Sequence, residues 1–349
     1  MSNIHDTLIN WYAENHRDLP WRHNPTPYEV WLSEVILQQT RVSQGMDYYL
    51  RFVERWPTVT DLAAASEEEV LKLWQGLGYY SRARNLHQCA KQVVTLHGGE
   101  FPIDYEQLKK LKGVGEYTAA AIASIAFGLP HAVVDGNVYR VLARLYDIDT
   151  PINNNEGQKL FAQLADDLLN REKPGLHNQA MMEFGALHCT PKNPNCLLCP
   201  LQAQCLAFDH QTVMQRPVKL PKAKVTTRYF NYLVIRVKDS IYLHKRSHND
   251  IWKNLYDFPC IESQQPMTTE EVVNSDTFAQ LIEDKPFTLV NTSPIFTHKL
   301  THRTILAQFI EIKLEQNLLQ IETKELFLAP ETELGSFPIP RLIDLYLNH

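Results

Sequence analysis

Four cysteines, Cys189, Cys196, Cys199 and Cys205, are separated by six, two and five residues, close enough for one short loop to gather four thiolates around a single centre. Zinc ribbons usually carry two C-x-x-C pairs, and only one, Cys196 with Cys199, occurs here. The spacing therefore favours iron and sulfur, although structural zinc or a set of unpaired buried thiols would use the same residues. The intervening TPKNPN supplies turns and Lys192. A metal centre there would staple the chain, because a preformed thiolate cage rarely exists before folding. Cys89 and Cys260 stand apart, and so uneven a distribution argues against a disulfide framework.

Two carboxylates have the setting for acid and anion chemistry. In YEVWLSEVILQQT, Tyr28, Trp31, Leu32, Val35 and Ile36 form a core stripe, with Glu34 and Gln38 one turn apart at its border. A carboxyl flanked by Trp31 is desolvated, which favours its neutral form and suits it to donate a proton. An ordinary surface glutamate is the bland alternative. Asp135 follows His131-Ala132-Val133-Val134 and precedes Gly136-Asn137 and the helix-spaced VYRVLAR, the position of an N-cap. A carboxylate held at a helix N-terminus stays ionised and can face a developing cation. One acid and one anion make the arrangement that cleaves glycosidic bonds.

LKKLKGVGEYTAAAIASIAFG, residues 108 to 128, reads as a helix ending near Leu111, a turn through Lys112-Gly113-Val114-Gly115, and an alanine-rich helix stopping at Gly128. Both glycines permit shapes that aim amide hydrogens outward. With the positive end of the following helix they make a phosphate seat that has no sequence preference. A plain connection between helices would use the same glycines.

The elements that must carry these groups follow from size and pattern. With 349 residues and 44% apolar composition the chain can bury a substantial core in two or three compact units. The first residues lack a basic, apolar leader and no stretch approaches a membrane span, so a cytoplasmic protein is expected, nucleoid-associated in a bacterium, with no membrane partner. The net charge of -6 opposes nucleic-acid binding only when read globally, since phosphate binding depends on local cations. Arg216, Lys219, Lys222, Lys224 and Arg228 crowd the segment RPVKLPKAKVTTR, which contains no acid. Residues 1 to about 210 show helical spacing. Beyond the basic segment, RYFNYLVIRV and IYLHKR read as two strands joined by a tight turn, and HRTILAQFIEIKL as a later strand. A second, α+β unit therefore begins near Thr227.

SEVILQQT, GLGYYSRARNL, LKGVGEYTA, VDGNVYRVLAR and the four-cysteine loop together resemble the helix-hairpin-helix DNA glycosylases of the MutY type, over residues 5 to 210. The resemblance implies a multi-domain protein: an all-α helix-hairpin-helix glycosylase with an iron–sulfur loop, followed by an α+β Nudix-like domain. Its helical region spans 1–214, with a six-helix part at about 26–130 and an iron–sulfur part made by the N-terminal helix with 131–214. A basic linker at 215–226 and the Nudix-like domain at 227–349 follow. The implied activity is hydrolysis of the N-glycosidic bond of adenine opposite 8-oxoguanine or guanine in double-stranded DNA, by a monomer carrying one 4Fe-4S cluster on its four cysteines.

Residue by residue, the resemblance makes Glu34 the acid that protonates adenine N7 and Asp135 the stabiliser or covalent partner of the sugar cation, supported by Tyr117 and Asn137. It gives Gln179 the edge of the flipped adenine, Gln39 and Tyr79 the gap left in the duplex, Arg22 a place beside the base pocket, and Gly113 and Gly115 the DNA backbone. Endonuclease III-type relatives carry a lysine nucleophile two residues after the second hairpin glycine. Tyr117 stands there, which implies a monofunctional hydrolase rather than a lyase. A non-catalytic iron–sulfur DNA sensor would make both carboxylates dispensable. In the second domain WKNLYDFP, residues 252 to 259, fits a strand, and the family's Phe-Ser-His contact loop is represented by Phe296-Thr297-His298, so that Thr297 and His298 are the candidates for lesion contact. No Nudix box follows Phe258, so pyrophosphatase activity is not expected.

Overall fold

The computed structural model describes residues 4–221, 225–318 and 326–348. Lys222 and Lys224 of the basic segment lie outside them. The chain forms two compact units, one of Met1–Ala64 with Asn85–Pro221 and the other of Ala65–Arg84 with Lys222–His349. The helices up to the basic segment are α1 (Ile4–Asn15), α2 (Pro27–Leu37), α3 (Val42–Arg55), α4 (Val59–Ala64), α5 (Glu67–Trp74), α6 (Ser81–His97), α7 (Tyr105–Leu108), α8 (Glu116–Ala121), α9 (Gly136–Leu145), α10 (Asn155–Asp167), α11 (Pro174–Leu187) and α12 (Leu206–Asp209). The segment with α5 and the start of α6 thus belongs with the second unit.

Local chemistry sets the ends that matter. Thr26 and Glu29 close a capping box at the start of α2, with Pro27 in the first turn. The helix stops at Leu37, so Gln38 is its C-cap and Gln39 leaves it with φ +55°. Asp135 caps α9 through the amides of Asn137 and Val138. The alanine-rich α8 widens into a π turn over Ile122–Ala126. In the hairpin, Gly113 has φ +77° and an added Cβ would lie 2.7 Å from the Asn85 Cβ. Gly115 has φ -90°, an ordinary extended residue before α8, so only the first hairpin glycine requires glycine's freedom.

Leu8 and Tyr12 of α1 share a core with Val138 and Leu142 of α9, Phe161 of α10 and Phe184 of α11. Helix α11 also packs against the π turn, and α2 against α3 and α8. Gly185 lets α11 approach α9: a Cβ there would lie 2.7 Å from the Asn137 Cβ and 2.9 Å from its carbonyl oxygen.

The second unit is built on one sheet of eight strands among the described residues: β1 (Thr226–Val237), β2 (Ser240–Lys245), β3 (Tyr256–Asp257), β4 (Cys260–Ser263), β5 (Phe287–Thr292), β6 (Phe296–Lys299), β7 (Arg303–Leu314) and β8 (Leu326–Pro330). The expected β1 and β2 pair antiparallel across a turn at Lys238-Asp239. β1 runs parallel to β7 from Thr226 opposite Arg303 to Arg236 opposite Lys313. Leu233, Ile235, Tyr242, Ile310 and Ile312 fill the core with Val272 of α13 (Thr269–Val273) and Phe278 of α14 (Asp276–Leu281). A last helix, α15 (Arg341–Leu347), carries the buried Leu342 and Ile343.

Two segments of this unit differ from what the sequence suggests. WKNLYDFP is mostly a turn, with left-handed Trp252 (φ +59°) and Asn254 (φ +64°), and only Tyr256-Asp257 pair as strand. Phe296-Thr297-His298 is not a loop but part of β6, bonded to β7. Side chains alternate along a strand, and Thr297 is accordingly exposed while His298 is half-buried beside Trp252. No helix among the described residues is long and apolar enough to cross a membrane.

Because Gly185 faces backbone as well as a side chain, Gly185→Ala should lower stability by about 1–3 kcal/mol through overpacking. Thermal unfolding at neutral pH checks this, and an unchanged midpoint would show that α9 yields without cost.

Candidate functional site

One cavity of about 730 Å³ in the first unit gathers the carboxylates. Glu34 of α2, Tyr117 of α8, Asp135 and Asn137 at the head of α9, and Met182 and Glu183 of α11 all line it, with Arg22 and Gln39. Its size lies within the range of small-ligand pockets. No lysine lines it.

The two carboxyls are held differently. Burial above all, with a smaller contribution from the neighbouring Asp135 charge, pushes Glu34 up to about 7 against the opposing Tyr117 hydrogen bond and Arg22. The Tyr117 hydroxyl donates to Glu34 Oε2 and also contacts Met182 Sδ at 3.7 Å. Tyr117 itself stays protonated, its phenol driven far up by burial and by the Glu34 and Asp135 charges. Trp31, which the sequence sets beside Glu34, is fully buried against Tyr28 and Phe101. The group that touches Glu34 is Tyr117. Asp135 is also raised by burial, but three N–H donors oppose that shift. The amides of Asn137 and Val138 donate to Oδ1 at 2.8 and 2.7 Å, and Asn137 Nδ2 donates to Oδ2 at 2.7 Å. With both oxygens accepting, the anion is the form this cradle fits.

Residues that the sequence did not single out complete the wall. Glu183 is 1% exposed and takes bidentate bonds from Arg17, at 2.8 and 2.7 Å, and from Arg22, at 3.1 and 2.8 Å. Burial would raise it, but the two guanidiniums hold it down to about 2. Arg140 of α9 donates to Asn137 Oδ1 at 2.8 Å and to the Cys189 carbonyl at 2.7 Å, joining the Asp135 cradle to the cysteine loop. Gln179 is not in the cavity wall; it accepts from the Tyr12 hydroxyl at 2.8 Å, one turn before Glu183.

The four cysteines line a separate small cavity of about 30 Å³, and all are free thiols. Arg144, 2% exposed, donates to Cys189 Sγ at 3.3 Å and to the Thr190 carbonyl at 2.8 Å. His188 lines the same cavity, its buried Nε2 having no hydrogen-bond partner among the described residues. No three His, Cys, Asp or Glu side chains among the described residues converge closely enough for one bare ion. Four thiols around one space, with a guanidinium against one sulfur, fit a polynuclear thiolate centre.

In the second unit, Tyr79 is 48% exposed with φ +47°, and its hydroxyl meets Thr301 Oγ1 at 2.8 Å. Gly113 and Gly115 are exposed at the hairpin of the first unit.

Residues 32–166 match the family described as "HhH-GPD superfamily base excision DNA repair protein", and residues 231–349 match the NUDIX domain. The chain is 35% identical over 305 residues to a protein named adenine DNA glycosylase from Buchnera aphidicola subsp. Baizongia pistaciae, covering 86% of this chain and 84% of the relative. Arabidopsis thaliana has a relative of the same name, 37% identical, covering 88% of this chain and 57% of its own length. Among solved structures it is similar to a thermostable thymine-DNA glycosylase (29% identity, TM-score 0.55, 59% of this chain and 95% of that one). An endonuclease III–DNA complex is also similar (26% identity, TM-score 0.51, 60% and 94%).

A carboxyl whose pKa is higher folded than unfolded adds stability below its unfolded value and loses it as pH rises through the folded one. For Glu34 that window runs from the ordinary glutamate range to about 7. Glu34→Gln should therefore unfold at a higher temperature than the parent at pH 8, and the gap should close toward pH 4. A gap constant across that range contradicts the burial described for Glu34.

Proposed function

The chain belongs to the adenine DNA glycosylase family and is an enzyme of base excision repair that hydrolyses N-glycosyl bonds, and from that premise we propose that its substrate is adenine opposite 8-oxoguanine or guanine in duplex DNA. The observation that carries this reading is the single cavity shared by a carboxyl raised to about 7 and a carboxylate cradled by three N–H donors. The hairpin at Gly113 and Gly115 holds phosphates with Lys219, Lys222 and Lys224 of the basic segment, whereas Arg216 is paired with Asp147 and Arg228 with Asp250 and Glu262. Gln39, at the cavity edge in a left-handed conformation, enters the duplex, and Tyr79 makes the corresponding contact from its own unit. Adenine turns out of the stack at a cost of about a few kcal/mol, less when it is mispaired.

Tyr117 occupies one oxygen of Glu34, so the acidic proton sits on the other, available to the base. Glu34 transfers it to adenine N7, and the electrons of the glycosidic bond leave with the base. Asp135 opposes the positive charge on the sugar. Water then adds its oxygen to C1′ and gives its proton to the Glu34 carboxylate, restoring the acid and leaving an abasic sugar. Arg22 and Glu183 border the pocket for the base, with Gln179 behind them on α11. With Tyr117 in the place of a lysine nucleophile the reaction ends in hydrolysis, without strand cleavage. Cys189, Cys196, Cys199 and Cys205 would hold one 4Fe-4S cluster, which supplies a covalent staple for the loop. Arg140 carries that loop's position to Asn137. Thr297 and His298 are proposed as contacts to the opposite base.

Glu34→Gln and Asp135→Asn should bind duplex DNA like the parent yet lose at least about 100-fold in single-turnover adenine release. Full activity in either variant rejects the assignment. Parent activity should fall as pH rises through about 7, where Glu34 loses its proton. Borohydride added during turnover should trap no covalent adduct, and a trapped adduct would mark a lyase.

A further inference from the structure

The stretch from Leu129 to Val134, between the π turn and the Asp135 cap, belongs to no helix or strand, yet Asp135 continues directly from it. Val133 in that stretch is 2% exposed, so its backbone groups need partners inside the protein. Asn178 of α11, also 2% exposed, supplies one. Its Oδ1 accepts from the Val133 amide at 3.1 Å, and its Nδ2 donates to the His131 carbonyl at 2.8 Å. Residues two apart in an extended chain present these groups on the same side, so one side-chain amide takes the place of an adjoining strand. The other Nδ2 hydrogen goes to Ser124 Oγ at 2.8 Å, and Ser124 donates its own to the Ala120 carbonyl at 2.7 Å. With the amide reversed, Nδ2 would face the Val133 N–H, so the network admits one orientation. Gly175 makes the reach possible: in the first turn of α11, an added Cβ would lie 2.5 Å from the Ser124 carbonyl oxygen.

Asn178 does not line the cavity of the two carboxyls, and the reaction as proposed leaves it without a role. Its ties run to the residues on either side of Ala132, just ahead of Asp135. Val134, between Val133 and Asp135, lines the cavity. Val133 packs with Ala120 and Ala121 in the cluster that also holds Tyr117. The anion is therefore anchored from both directions along the chain, by the α9 amides after it and by Asn178 before it. We propose that Asn178 is a positioning residue for Asp135: its amide clamps the chain leading into the cap and so fixes where the carboxylate stands relative to the sugar cation. This rests on the reading of Asp135 given above.

Asn178→Leu in the full-length protein keeps the side-chain volume and removes all three hydrogen bonds. It should bind an adenine-containing duplex like the parent but release adenine about 10- to 100-fold more slowly in a single turnover, the effect of a misplaced charged group. General loosening would also slow release, so affinity for two abasic analogues in duplex DNA separates the causes: a neutral tetrahydrofuran sugar and a cationic pyrrolidine sugar. The parent should prefer the cation. The variant should lose about tenfold of that preference, with neutral-analogue binding unchanged within about twofold. Asn178→Ala, which admits water to the freed backbone groups, should shift the same ratio in the same direction and carries the test if the leucine variant does not fold. Equal weakening on both analogues, or an unchanged ratio, overturns the positioning role. A parent without the preference, or an Asp135→Asn variant that retains it, instead removes the electrostatic reading of Asp135, and this inference with it.

Discussion

Two carboxyl groups in the wall of one cavity cannot both carry their charge easily, and the rest of the first unit is arranged around the way that conflict is settled. Asp135 receives the donors: two helix amides and the Asn137 side chain satisfy both its oxygens. Glu34 receives a phenol on one oxygen and is otherwise half-buried in the cavity wall, where desolvation favours its neutral form. Environments that differ this much drive two like groups toward opposite protonation states, which is the requirement for an acid and an anion to act on the same bond.

The positions that make the difference belong to helix ends and close helix contacts. Asp135 can accept two amides because α9 starts immediately after it, and α9 lies close to α11 because residue 185 has no side chain. Arg140 spends its guanidinium on Asn137, the Gly185 carbonyl and the Cys189 carbonyl, so the anion cradle, the close helix contact and the cysteine loop share one cation. Removing any of the three leaves buried polar groups unpaired, an expensive outcome in a low-dielectric interior. Across the cavity, the Arg17–Glu183–Arg22 cluster joins the chain before α2 to α11 and puts paired charges in the cavity wall.

What could be read from the sequence was local in character. Asp135 stands at the head of a helix-spaced run, Glu34 at the border of an apolar stripe, and the four cysteines within a single loop, so that spacing offers each as a candidate, while only the surrounding motifs separate Glu34 from an ordinary surface glutamate and Asp135 from a plain N-cap. Glu183 could not be found that way. It lies in the apolar-looking stretch HNQAMMEFG, and its partners Arg17 and Arg22 stand more than 160 positions earlier in the chain. Arg140 and Arg144 look like the polar side of an amphipathic helix until their contacts to the cysteine loop are seen. The second unit shows the same limit. β1, β2 and β7 were legible as long β-rich runs, whereas residues 252–259 turn on left-handed Trp252 and Asn254, where sequence offers no glycine to signal it. That Ala65–Arg84 belongs with that unit depends on contacts such as the Tyr80 hydroxyl to the Ile339 carbonyl, which no periodicity encodes.

Glu34 is an acid near neutrality because its carboxyl is desolvated, with the Asp135 charge adding to that shift. The most direct measurement is a carbon-13 NMR titration of the Glu34 carboxyl in the free protein, repeated in Asp135→Asn. An apparent pKa near 7 that falls when the neighbouring charge is removed is the predicted result. A Glu34 that titrates in the ordinary glutamate range, or does not respond to the loss of Asp135's charge, would contradict it.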